Sequence, residues 1–182
     1  ADSESSTGFF NKDVSLNWDP DVDVHVMNVE SNPASAKPND SSTVLRFAYK
    51  QGTSSSTFIF TGDAEGENLD YQTNTAPSNK YYIKSDVYKV GHHGADPNSS
   101  NNANQLDYLN LVFPGAAAVE GIQRIAVFGV GSGNNFGHPK LETVYNLGPG
   151  GGGDSTPARA SLFRTELDST VIITADAQGN YG

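Results

Sequence analysis

The chain contains no cysteine. Disulfides, thiolate metal sites and thiol nucleophiles are therefore excluded, and any metal must be held by histidines and carboxylates. Basic residues are scarce: 11 Lys and Arg stand against 21 Asp and Glu, a formal charge of −10 over 182 residues. A phosphate backbone is repelled by such a field, so a general nucleic-acid-binding module is excluded. A bound cation can still invert the potential locally. No apolar run approaches the roughly 18 residues that a membrane-spanning helix needs. There is no Gly-x-Ser-x-Gly elbow, and the glycine run at 148–153 lacks the Lys and Ser/Thr of a phosphate-binding loop. Low Lys content with abundant Ser, Asn and Gly leans towards an exported protein. The polar start, Ala1 to Ser6, has no signal-peptide pattern and reads as a processed or proteolytic boundary.

What is present is a series of short apolar stretches separated by turn-rich segments. The length suits a single domain over 1–182, with a loose segment at 1–12 and a flexible Gly-rich loop at 148–157. Val14 to Trp18 reads as a strand. Asp21 to Met27 alternates, placing Val22, Val24 and Val26 on one face and His25 on the other, where it is expected to meet solvent. Thr43 to Tyr49 and Thr57 to Thr61 read as a hairpin, with the second strand apolar enough to be covered on both faces. Further strands are expected at Asp86–Val90 and Arg124–Val130. Ser161–Thr165 and Thr170–Thr174 read as a closing hairpin. Helices are expected at Ala64–Tyr71, around Leu106–Leu111, and from Pro139, in the first turn, to Leu147. The fold class is α/β, a mixed β-sheet layered with helices.

Ligand-type residues follow apolar strands at three places. Phe60-Thr61-Gly62-Asp63 ends a strand in a glycine turn and holds a carboxylate on a rigid base; the same Asp63 would also serve as an ordinary helix cap. Val90-Gly91-His92-His93-Gly94 sets two histidines between glycines. Neighbouring side chains on extended backbone diverge, so one is expected to ligate and the other to bind substrate or move a proton. Phe136-Gly137-His138-Pro139 puts a third imidazole beside the expected start of a helix, or simply an ordinary residue there.

In order along the chain, these segments resemble the metallo-β-lactamase-fold domain of competence proteins of the ComEC type. Asn39-Asp40-Ser41-Ser42 is similar to the family's strand entry. Phe58-Ile59-Phe60-Thr61-Gly62-Asp63-Ala64-Glu65 is similar to its Phe-Leu-Phe-Thr-Gly-Asp-x-Glu. Asp86 to Gly94 resembles Asp-Val-Leu-Lys-x-x-His-His-Gly, and Phe136 to Pro139 resembles Tyr-Gly-His-Pro. Phe163-Arg164-Thr165 with Ser169 to Ile172 resembles the family's closing motif.

The resemblance implies the C-terminal half of an αββα sandwich. It also implies metal-dependent hydrolysis, of the phosphodiesterase or nuclease kind, with nucleic acid or another phosphodiester as substrate. Asp63 would bridge two metals, zinc or manganese, and His92 would be a further ligand. His93 and His138 would act as catalytic residues in the substrate pocket. Two departures stand out: the family's early His-x-x-x-Asp-His cluster is missing, and Ala95 stands where the family carries a serine. The site would then be completed by an N-terminal half, removed or carried on a separate chain, or the 182 residues would be a fragment of a larger precursor. Alternatively, catalysis has been lost, leaving an exported binding or assembly subunit prone to self-association through a bare sheet face. A catalytic zinc normally takes three protein ligands and only two are in view. Calorimetric titration of the isolated chain should therefore give weak or no zinc binding; tight stoichiometric binding would overturn the half-site reading.

Overall fold

A computed structural model describes residues 14–28, 39, 42–65, 83–98, 102–114, 123–148 and 159–182. Among the described residues, seven strands form one mixed sheet whose spatial order is the chain order: β1 (Val14–Asp19), β2 (Val22–Asn28), β3 (Val44–Gln51), β4 (Ser54–Phe60), β5 (Val87–Lys89), β6 (Ile125–Phe128) and β7 (Ser161–Arg164). The first four form an antiparallel meander. The β3–β4 hairpin closes on Gly52-Thr53, with Gln51 opposite Ser54 and Gly52 at φ +62°. Glycine tolerates that conformation because it has no Cβ to clash with the backbone.

From β4 onward the strands run parallel. A parallel step requires a crossover. Helix α1 (Leu106–Val112) lies in the crossover from β5 to β6, and α2 (Leu141–Leu147) in that from β6 to β7. A single helical turn, α3 (Thr165–Asp168), follows β7.

Alternation sorts the strand residues between two unequal covers. On the helix-bearing face, Met27, Val44, Ile59, Tyr88, Ala126 and Phe128 meet Tyr108, Leu109 and Val112 of α1 and Leu147 of α2 in the main core. Among the described residues, the opposite face is covered only in part. The segment after α3 lays Ile173, Ala175 and Tyr181 over Phe58, Val87, Ile125 and Val127. Tyr181 is fastened there by its hydroxyl, which donates to Asp86 Oδ2 at 2.9 Å. The same carboxylate oxygen accepts from the Thr57 amide and hydroxyl at 2.9 and 2.6 Å. Burial pushes the Tyr181 phenol up to about 12, so it stays a donor at any physiological pH. Beyond that cover, Val22, Leu45, Phe47, Tyr49, Phe58 and Phe60 line an open, wholly apolar depression. Phe47 and Phe60 meet edge to face at 5.6 Å there, and Phe60 is still 42% exposed.

Several expectations are corrected. His25 is buried, not solvent-exposed. It shares the helix-bearing face with Met27, and its Nδ1 lies 3.2 Å from Ser15 Oγ, so the alternation in β2 separates two covered faces. β4 is covered on both faces from Ser56 to Ile59, and the cover fails only at its end, where Phe60 is exposed. No helix starts at Ala64, since Glu65 instead forms a β-bridge with Asn102. The rest of the expected helix, residues 66–71, lies outside the described residues, as do the segments 1–12 and 149–157. The closing hairpin is absent. β7 pairs parallel with β6 because α2 returns the chain in the same direction, and Thr170 to Thr174 forms no strand. Pro139 precedes α2 rather than opening it. The helix starts at Leu141, which is 83% exposed, and buries Thr143, Asn146 and Leu147 instead.

The open apolar depression generates a prediction. The isolated chain should self-associate in concentration-dependent light scattering, because an apolar surface of this kind gains by leaving water. Phe60→Lys should weaken that association. A strict monomer at high concentration would contradict the expectation.

Candidate functional site

The parallel strands β4 and β5 end side by side, and their continuations carry the candidate residues. Past β4 the chain turns through Gly62 at φ +55°, and the Asp63 amide donates to Ser42 Oγ at 3.1 Å. Past β5 it enters a short 3₁₀ turn over Gly91–Gly94. The two turns are joined by the His92 amide, which donates to the Gly62 carbonyl at 2.9 Å. The backbone thus brings the Asp63 and His92 segments together. In open sheets with parallel strands, ligands gather at such carboxyl ends.

The His-His turn is held from beneath. The Tyr88 hydroxyl accepts from the Gly91 amide at 3.0 Å and donates to the Ala103 carbonyl at 2.9 Å. Burial pushes this phenol up to about 12, so it keeps its proton and can play both parts. Asn104 Nδ2 donates to the carbonyls of Gly91 and Ala95, and Thr143 Oγ1 donates to Ala95 as well. The Lys140 amide donates to the Gly94 carbonyl at 2.8 Å, tying the start of α2 to the same turn.

Both histidines are in the left-handed region, His92 at φ +44° and His93 at φ +52°. The diverging side chains expected of extended backbone therefore do not describe this turn. Residues other than glycine adopt this conformation at a cost of about 1–2 kcal/mol each. Such strain clusters where a site requires a particular geometry.

The side chains pair differently from the expected scheme. His92 Nδ1 lies 2.7 Å from Glu65 Oε1. His93 Nδ1 donates to the Gly129 carbonyl at 2.6 Å, and its Nε2 lies 3.6 Å from Asp63 Oδ1. Asp63 thus faces His93, while His92 faces Glu65. His138 joins from the β6–α2 connection. Its ring centroid is 5.7 Å from that of His92, and it stacks on Phe136 at 6.0 Å with an interplanar angle of 11°. Asn134 brackets its backbone, accepting from the His138 amide and donating to its carbonyl. Burial lowers the pKa of His138, and the neighbouring His92, Lys140 and His93 lower it further against a smaller opposing effect of Asp63. Its ring is therefore neutral at neutral pH. Its Nδ1 is buried and has no hydrogen-bond partner among the described residues.

All four expected residues, Asp63, His92, His93 and His138, thus belong to one neighbourhood. Glu65, Lys89 and Gly129 were not singled out as site residues. Lys89 stands at the end of β5, where its charge interacts favourably with Asp63 although burial lowers its pKa. Among the described residues, no group of three or more His, Asp and Glu is placed to hold a metal ion. The donors fit part of a cation site: Asp63, and His92 through the Nε2 that its Glu65 contact leaves open.

With this geometry in view, comparison with known proteins gives one informative match. No family model matches the chain, and no solved structure does. The chain is similar to ComE operon protein 3 of Bacillus subtilis (strain 168), with 32% identity over 127 residues, covering 70% of this chain and 13% of that protein. It is a distant, partial homologue of that protein. The chain spans about 13% of the length of the curated relative it matches.

The turn yields a stability prediction. A Cβ on Gly94 would lie 2.7 Å from Pro139 Cβ and 2.9 Å from the Phe128 ring, at φ +79°. Gly94→Ala should cost about 3 kcal/mol by chemical denaturation, overpacking added to left-handed strain. Gly52→Ala, at φ +62° with nothing within 4 Å, meets the strain alone and should cost about 1 kcal/mol.

Proposed function

We propose that this chain is part of a metal-dependent hydrolase acting on phosphodiesters. It would be the C-terminal half of a metallo-β-lactamase-like αββα sandwich, and its site would be completed by an N-terminal half. The observation that carries this reading is the 2.9 Å bond from the His92 amide to the Gly62 carbonyl, which binds two ligand-bearing turns together at the ends of parallel strands. Zinc or manganese suits the nitrogen and carboxylate donors. When bound, such a cation lowers the pKa of water and neutralises charge on a phosphoryl oxygen.

The chain's own residues have separable tasks. Asp63 and His92 would hold the cation jointly with ligands from that N-terminal half. His93 stands beside Asp63 at the exposed rim, with its Nε2 directed to the carboxylate, and is placed to bind substrate or accept a proton. His138, neutral and stacked on Phe136, walls the other side of His92. Lys89 supplies positive charge within an otherwise acidic chain. The partial coverage of the sheet agrees with an incomplete domain, because the second half of a sandwich would lie over the open apolar face.

The same open face favours a second reading: an exported binding or assembly subunit that keeps the fold without catalysis. The two separate experimentally. The chain would be combined with a candidate N-terminal half, fused or as a separate chain, and assayed on a generic phosphodiester. Hydrolysis should appear, and Asp63→Ala should lower it by at least about 100-fold, the upper end of what losing a partner behind a metal ligand costs. Equal rates for parent and variant would remove Asp63 from the chemistry and leave the assembly reading.

A further inference from the structure

We propose that Glu65 is a positioning residue that fixes the proton of His92 on Nδ1, so that Nε2 offers its lone pair to the site; the inference rests on the hydrolase reading above. A carboxylate and a backbone carbonyl accept hydrogen bonds and do not donate. The 2.7 Å contact of His92 Nδ1 with Glu65 Oε1, and the 2.6 Å contact of His93 Nδ1 with the Gly129 carbonyl, therefore each call for a hydrogen on Nδ1. A neutral imidazole has one donor and one acceptor nitrogen, so Nε2 is the acceptor in both rings. In water the neutral ring favours the opposite arrangement, with the proton on Nε2. The turn thus imposes on both rings the tautomer that a cation or a proton-bearing substrate can use.

Two features make Glu65 suited to this task. Its side chain is only 13% exposed, and that of His92 only 24%, so solvent competes weakly for the contact. Its backbone is fixed by the bridge to Asn102, within the same segment whose Asn104 side chain holds the Gly91 and Ala95 carbonyls. The carboxylate and the imidazole are therefore referenced to one rigid frame. A group that accepts the second ring hydrogen of a ligating histidine orients the ring and raises its basicity. Gly129 plays the equivalent part for His93 with a main-chain oxygen, which gives the experiment an internal control.

The test reads the tautomers directly in metal-free protein. Histidine-labelled chain is recorded by long-range proton–nitrogen correlation at a pH where the rings are neutral, with assignments from single His→Gln variants. In the parent, His92 and His93 should both show the proton on Nδ1. Glu65→Gln, whose amide oxygen still accepts, should keep the His92 pattern. Glu65→Ala should move His92 towards the Nε2-protonated form and leave His93 unchanged. A parent His92 protonated on Nε2, or a His92 signal indifferent to Glu65→Ala, would overturn the proposal. Should Glu65→Ala fail to fold, the parent and Glu65→Gln spectra still decide. Neither metal nor turnover enters the measurement. Loss of the hydrolase reading through Asp63→Ala therefore cannot be confused with loss of this one.

Discussion

Crowding beneath the Gly91–Gly94 turn is the constraint on which the rest of the site depends. A side chain at Gly91 would come within 2.7 Å of Thr61 Oγ1 and 2.9 Å of Ala103 Cβ; one at Gly94 would collide with Phe128 and Pro139. The backbone of the turn is thus pressed onto the ends of β4 and β6 and the approach to α2. The Tyr88 hydroxyl then satisfies the Gly91 amide from inside the core, where an unpaired donor would be costly. With both glycines wedged, the intervening histidines have little freedom. They take left-handed conformations, and their side chains project towards Glu65, Asp63 and His138. Packing in the core is in this way converted into the orientation of two imidazoles at the surface.

Much of the architecture was legible because it follows from period and punctuation. The alternation of Val22, Val24 and Val26, and of Leu45, Phe47 and Tyr49, marks β2 and β3 directly. The Gly-containing gap between Tyr49 and Thr57 marks the hairpin, although the strands run closer to its two-residue turn than expected. The errors have physical causes. His25 alternates with valines as a solvent-facing residue would, yet the sheet has a helix-bearing core on that side. Polarity in a strand reports a difference between faces, not which face meets water. Thr170 to Thr174 has strand-like composition, but α3 and the Ser169 turn at φ +62° send the chain across the sheet instead of along its edge. Of the apolar residues of α2, Val144 and Leu147 pack on the core while Leu141 and Tyr145 stay exposed. The face that packs is chosen by Thr143 bonding to Ala95 and by Leu147 entering the core.

For the site, the strand-end placement of Asp63, His92 and His93 was readable, because a glycine turn after an apolar run is a local signal. The pairing between them was not. Which carboxylate meets which imidazole depends on left-handed backbone at His92 and His93, and ordinary strand geometry gives no hint of that. Glu65 lies two residues past Asp63 in the very segment quoted for the family resemblance. Its role was hidden by the expectation of a helix at Ala64, where it would have been one more exposed acidic residue. Gly129 could not have been found from residue type at all, since it contributes a main-chain carbonyl.

The unequal covering of the two sheet faces bears on how the site would be completed. Thr57, Asp86 and Tyr181 fasten the C-terminal segment over β4, β5 and β6. That cover stops short of the end of β4 and the neighbouring part of β3, where Phe60 and Tyr49 are exposed and Phe47 is half-buried. Phe60 is also the last residue of the strand that leads into Asp63. A partner seated on the open face would therefore reach the edge of the site through β4. Burying Phe60 would exclude water beside Asp63 and Lys89 and strengthen every charge interaction there. Covering the apolar face and completing the polar site would then be one structural event, in which the free energy of apolar burial carries the added ligands into place.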